Sequence, residues 1–140
     1  MESFYSNAEK KTVKTDLFDK TAEGIASGFV GQGKFGTYGV SKTQLRRLYD
    51  EVKRFEQNLD GTDETWKKYF PYIKMIKSKT SYNIARAIEK NRNDADVYKR
   101  LSTFISEGLD QVKDEEDYHV FTSLFEAVYG FYYEKNPKNN

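Results

Sequence analysis

The stretch that most constrains this fold runs from Ser41 to Leu59, because only a helix sorts its apolar and cationic residues onto separate faces. Leu45, Leu48, Tyr49, Val52, Phe55 and Leu59 recur every three or four residues and form one stripe that has to be buried. Ser41 and Gln44 have capping-box spacing, in which the serine side chain accepts from an amide of the first turn and the glutamine reaches back to the serine amide. The same period puts Arg46 and Lys53 on one side of the stripe and Arg47 and Arg54 on the other, each pair seven residues apart and nearly superimposed along the axis. One face must pack while the flanks stay cationic.

Downstream, helical signals continue. Thr62 or Asp63 starts a short helix with Trp66, Tyr69 and Phe70 inward, and Pro71 ends it. A longer helix restarts there and runs to about Glu89, burying Ile73, Ile76, Thr80, Ile84, Ala87 and Ile88; a single kinked helix is the alternative. Lys79, Arg86 and Lys90 fall in a narrow stripe of this helix away from its apolar face, flanked by Tyr82. Asp94 caps a helix carrying Val97, Leu101, Phe104, Ile105, Leu109 and Val112, with Gly108 weakening it near its end. Asp114 opens the last helix, whose apolar face is Tyr118, Phe121, Phe125, Val128 and Tyr132, and the Asn136-Pro-Lys-Asn-Asn stretch terminates it.

Upstream the signals are weaker. Residues 1–15 lack periodicity and read as a tail, and a short helix over 16–28 is weakened by Gly24 and Gly28. Gly31, Gly33 and Gly36 spell G-x-G-x-x-G, but no hydrophobic strand precedes them and no βαβ unit surrounds them, so a dinucleotide site is excluded. The glycine-rich stretch, interleaved with Phe29, Phe35 and Tyr38, reads as a mobile linker or as an aromatic-tipped arm that orders on a partner. No segment shows strand alternation. The expectation is an all-α compact bundle of four to six helices over residues 41–135, with residues 1–40 as a flexible N-terminal arm.

The chain has 140 residues and no cysteine, which suits one domain with a core that needs no disulfide or cysteine-bound metal. No run of about 18 apolar residues is present and the first residues lack a secretory pattern, so a soluble, cytoplasmic protein is expected. The net charge is only +1, but residues 41–92 hold 13 Lys and Arg against 7 Asp and Glu, and residues 93–140 hold 5 against 10. This asymmetry fits a basic face for a polyanion, or two halves that attract each other or another copy, with Asp94, Asp96, Glu107 and Asp110 among the acids.

Catalytic chemistry has little to work with. His119 is the sole histidine, at the start of the last helix where a surface role is usual, and the acids sit at helix starts where capping explains them. Neither an enzyme nor a metal or cofactor site is expected. Two basic stripes on neighbouring helices remain: either solvated faces, or cations that track a phosphate backbone without reading sequence.

Three motifs in order, Gly39-Val-Ser-Lys-Thr-Gln-Leu-Arg-Arg-Leu-Tyr-Asp-Glu-Val52, Lys79-Thr-Ser-Tyr-Asn-Ile-Ala-Arg86 and Phe121-Thr-Ser-Leu-Phe-Glu-Ala-Val-Tyr-Gly-Phe131, resemble the small subunit of the type III-A CRISPR effector, the Csm complex. The resemblance covers about residues 39–133 and implies an all-helical, noncatalytic subunit. It further implies several copies stacked as an inner filament beside the guide RNA–target RNA duplex, among the other subunits of an antiviral ribonucleoprotein. By position it points to Leu45 and Arg46 in the first motif and to Lys79, Tyr82 and Arg86 in the second, which coincide with the basic stripes. The expected RNA-binding set is therefore Arg46, Arg47, Lys53, Arg54, Lys79, Tyr82, Arg86 and Lys90. A self-associating helical adaptor without RNA binding is the alternative.

Overall fold

The computed structural model describes residues 1–136, and the expectation for residues 137–140 lies outside them. Six α-helices carry most of the chain: α1 (Ala22–Ser27), α2 (Lys42–Asn58), α3 (Asp63–Lys74), α4 (Ile76–Lys90), α5 (Ala95–Asp110) and α6 (Glu115–Lys135). The bundle expected from periodicity is present. The expectation of no strands is corrected by two small antiparallel pairs, β1 (Tyr5–Asn7) with β2 (Thr12–Val13) and β3 (Val30–Gly33) with β4 (Gly36–Gly39). No helix among the described residues is long and apolar enough to cross a membrane.

The core lies against α6. Tyr118, Phe121, Leu124, Phe125 and Val128 are fully buried, and Leu45 and Val52 of α2 and Phe104 and Ile105 of α5 close over them. The Phe104 ring stands edge-on to Phe125 at 5.4 Å, and Tyr49 of α2 approaches Phe125 at 5.5 Å, geometries favoured by the ring quadrupoles. Two α6 tyrosines extend this contact with hydroxyls: Tyr118 donates to the Val52 carbonyl at 2.8 Å, and Tyr132 donates to the Val40 carbonyl.

The start of α2 is capped as expected in one half only. Ser41 Oγ accepts from the Gln44 amide at 3.3 Å, but Gln44 does not return to the Ser41 amide. Tyr98 of α5 takes that place: its hydroxyl accepts from the Ser41 amide at 3.0 Å and donates to Gln44 Oε1 at 3.0 Å. A tertiary contact thus replaces the local one, and it ties the start of α2 to α5.

Residues 1–40, expected as an arm, share this core. Phe4, Leu17, Ala22, Ala26, Phe29 and Val40 are all buried with the helices. A π-helical turn, Leu17–Thr21, leads into α1 and fits the short helix expected over 16–28. The β1–β2 hairpin is held to α6 by charge: Lys11 Nζ lies 2.6 Å from Asp117 and 2.9 Å from Asp114, and the Tyr5 hydroxyl donates to Asp117 at 2.6 Å. Burial opposes the charge on Asp117, yet Lys11, Tyr5 and the Lys113 amide outweigh it and hold the carboxyl below its usual range. These partners are about a hundred positions apart, so no local pattern reports them. The glycines serve the second hairpin: Gly36 takes φ +108° at its turn, and the Tyr38 ring lies over Gly31, where a Cβ would meet it at 2.3 Å.

Pro71 does not end α3. It sits on an exposed face inside the helix, where the only intrahelical bond it removes is the one to the Lys67 carbonyl, which water can serve. The break comes at Met75, whose amide is shared between the Pro71 and Tyr72 carbonyls, so α3 and α4 form nearly the kinked single helix of the alternative reading.

Gly108 is where α5 meets α6, because a Cβ there would stand 2.4 Å from the Phe121 ring. Overpacking costs about 1–3 kcal/mol and outweighs the gain of about 1 kcal/mol in helix propensity, so Gly108→Ala is expected to lower the melting temperature by several degrees. Gly130→Ala on α6, with nothing within 4 Å, should raise it. A higher melting temperature for Gly108→Ala would reject this packing.

His119 faces two carboxylates, Glu56 at 2.8 Å from Nδ1 and Glu115 at 2.9 Å from Nε2. Burial pulls its pKa down, but the hydrogen bonds to Glu56 and Glu115 outweigh that and raise it above the ordinary value. A raised folded-state pKa gives stability that is complete below the unfolded value of about 6.5 and lost as pH rises through the folded value. His119→Gln should therefore cost up to about 1 kcal/mol near pH 5.5 and little near pH 9, read from denaturant midpoints at both. Equal losses at the two pH values would contradict the ion pairs.

Candidate nucleic-acid interface

Packing of α4 on α5 decides where the second basic stripe points. Ile76, Thr80, Ile84 and Ala87 form the buried face of α4, at intervals of four, four and three. Lys79, Arg86 and Lys90 lie beside that face and are exposed, and α2 runs along the same flank. A groove of about 280 Å³ results, with α2 and α4 as walls and Tyr98 and Leu101 of α5 at its base.

Five of the eight residues expected from sequence meet in this groove: Arg47 from α2, and Lys79, Tyr82, Arg86 and Lys90 from α4. Arg86 donates from Nη1 to the Tyr82 hydroxyl at 3.2 Å, an i,i+4 pair that holds the guanidinium beside the ring. Tyr82 is 61 % exposed, so its ring stands at the rim. Lys79 is bound to Glu51 of α2 at 3.0 Å, and among the described residues Glu51 is the only carboxylate lining the groove. Among the described residues Arg47 and Lys90 have no ion-pair partner, so the groove keeps unbalanced positive charge.

Arg46, Lys53 and Arg54 do not line it. Arg46 pairs with Asp50 at 3.8 Å on open surface, and Lys53 turns toward α6, 3.1 Å from Glu56 and 4.0 Å from Glu126. The Arg54 guanidinium lies 5.9 Å from the Phe55 ring centroid. The cations of α2 are thus unequal: Lys53 reaches Glu126 of α6, Arg46 and Arg54 stay on open surface, and Arg47 meets α4.

Sequence reasoning missed Gln44, Thr80, Asn83 and Tyr98 as groove residues. By periodicity Thr80 belongs to the apolar stripe, where it is 4 % exposed, and its Oγ1 is the one buried side-chain polar atom without a hydrogen-bond partner among the described residues. A hydroxyl placed among isoleucines was the available signal. Burial pushes the Tyr98 phenol up, which keeps it protonated as the donor to Gln44.

Part of the charge split between the halves is used inside this one chain. Lys77 reaches Asp110 at 2.6 Å, Tyr38 donates to Asp96 at 3.0 Å, and Asn91 donates to Asp94 at 3.2 Å. These acids are therefore not idle surface charge.

Against this geometry stands one comparison. A family model described as Csm2 Type III-A matches residues 13–137, which includes the second hairpin, every helix and the groove. No curated protein and no solved structure matches the chain. The match takes in most of the chain, and the chain belongs to the Csm2 Type III-A family, as a small subunit of the type III-A CRISPR effector complex.

Proposed function

We propose that the groove between α2 and α4 lies on the backbone of the guide RNA–target RNA duplex and that the subunit acts as a noncatalytic scaffold in antiviral defence. The single observation that carries this reading is the convergence of Arg47, Lys79, Arg86 and Lys90 from two helices onto one groove with a single carboxylate. Cations held on rigid helices neutralise phosphates and carry no base-edge information, and the deep major groove of A-form RNA admits no helix. Copies stacked in a filament would repeat this groove along the duplex and multiply contacts that are weak singly.

Counterion release makes log affinity fall with log salt by roughly 0.7 to 0.9 for each phosphate contact. Arg86→Ala and Lys90→Ala are each expected to flatten that slope by about one contact, whereas Arg54→Ala, outside the groove, should leave it unchanged. Identical slopes for all four proteins, with folding intact by circular dichroism, would reject the groove as the phosphate face.

Scrambling the duplex sequence at constant length should leave affinity within about threefold. A preference above about tenfold, worth roughly 1.4 kcal/mol, would require base readout and overturn the backbone reading.

A further inference from the structure

The groove contains more than cations, since Glu51 stands among them. It lies one turn after Arg47 on α2, where a helical acid ordinarily pairs along its own helix, yet it reaches across to Lys79 of α4 at 3.0 Å. Lys79 has no acid three or four residues away on α4, so the bridge joins the two walls instead of running along either one. The Glu51 side chain is 20 % exposed and that of Lys79 50 %, so solvent and salt screen this pair less than an open surface pair such as Arg46 and Asp50. The pair also stands at a boundary. Glu51, Lys79, Tyr82 and Asn83 line both the groove of about 280 Å³ and an adjoining recess of about 410 Å³ that opens beside Ser78. The bridge is thus a cross-bar between two hollows, and it engages one of the cations that converge there.

We infer that Glu51 is a negative determinant of RNA affinity: its carboxylate occupies the Lys79 ammonium, so that the phosphate backbone meets Arg47, Arg86 and Lys90 but not Lys79. The inference rests on the duplex-backbone reading and adds to it the residue that restrains binding. A carboxylate and a phosphate both accept charge-assisted hydrogen bonds from an ammonium, so each can satisfy Lys79, and the one fixed on α2 needs no approach from solution. A phosphate has to displace Glu51 before Lys79 counts as a contact. Such restraint suits the repeated use of the groove proposed above. A single copy holds stray RNA weakly, and copies aligned on one duplex recover affinity by number.

The test measures binding of the full chain and its Glu51→Gln, Glu51→Asp and Lys79→Ala variants to a synthetic RNA duplex across a salt series, with folding checked by circular dichroism. Glu51→Gln keeps the shape and removes the charge, whereas Glu51→Asp keeps the charge and shortens the reach by a methylene, so both release Lys79. Each is expected to bind about sixfold more tightly at about 0.1 M salt, with log affinity falling more steeply by roughly 0.7 to 0.9, the worth of an added phosphate contact. Lys79→Ala removes a cation that is already engaged and should leave the wild-type slope unchanged. A gain for Glu51→Gln without one for Glu51→Asp would be a through-space charge effect and would overturn the cross-bar, as would unchanged affinity in both or a flattened slope for Lys79→Ala. Those results leave the backbone reading standing so long as Arg86→Ala flattens the slope; absence of that Arg86 effect would overturn both.

Discussion

Burial of α6 is the interaction on which the other elements depend. Tyr118, Phe121, Leu124, Phe125 and Val128 are fully enclosed over three turns, each contributing roughly 1.5–3 kcal/mol relative to exposure. A helix that apolar cannot face water on any of these positions, so α2, α5, α1 and the two hairpins are drawn onto it from different sides. Its two tyrosines then fix depth as well as direction, since Tyr118 must reach the Val52 carbonyl and Tyr132 the Val40 carbonyl. Hydrophobic burial alone would permit sliding; a buried hydroxyl that has to find its acceptor does not.

The groove follows from this arrangement. With α2 packed on α6 and α4 packed on α5, the separation of α2 and α4 is set mainly by third helices, and the Lys79–Glu51 ion pair bridges the gap. Tyr98 links the two sides, because it belongs to α5 yet completes the cap of α2. The cations at the rim are thus held by elements whose own packing is complete, which preorganises them. Glu51 limits the positive potential by engaging Lys79, and the remaining cations stay available to a polyanion.

The N-terminal hairpin shows how charge is used inside the fold. Lys11, in the left-handed region at φ 56°, closes the hairpin turn and places its ammonium between Asp114 and Asp117 at the start of α6. Those carboxylates already favour the positive end of the α6 dipole, and Asp114 and Asp117 also accept backbone amides there. One cluster therefore caps the central helix and fastens the first strand pair to it.

What the sequence determined by itself was everything governed by a period of 3.6: the five long helices, the buried faces of α2, α5 and α6, the starts at Ser41, Thr62 and Asp114, and the cationic flank of α4. Motif order carried the family as well. Such signals are local, because a helix face is written in residues three and four apart. The tertiary structure alone decided which cations of α2 enter the groove, separating Arg47 from Arg46, Lys53 and Arg54, because that depends on which stretch of α2 faces α4. It alone turned the glycine-rich stretch into a hairpin, since Tyr38 packing on Gly31 and bonding to Asp96 is cross-strand and long-range. It alone brought Phe4 and Lys11 to α6, and it alone showed that Thr80, one more residue on an apolar stripe, carries a buried oxygen with no partner, because an unmet hydrogen bond is a property of the surroundings and not of the residue.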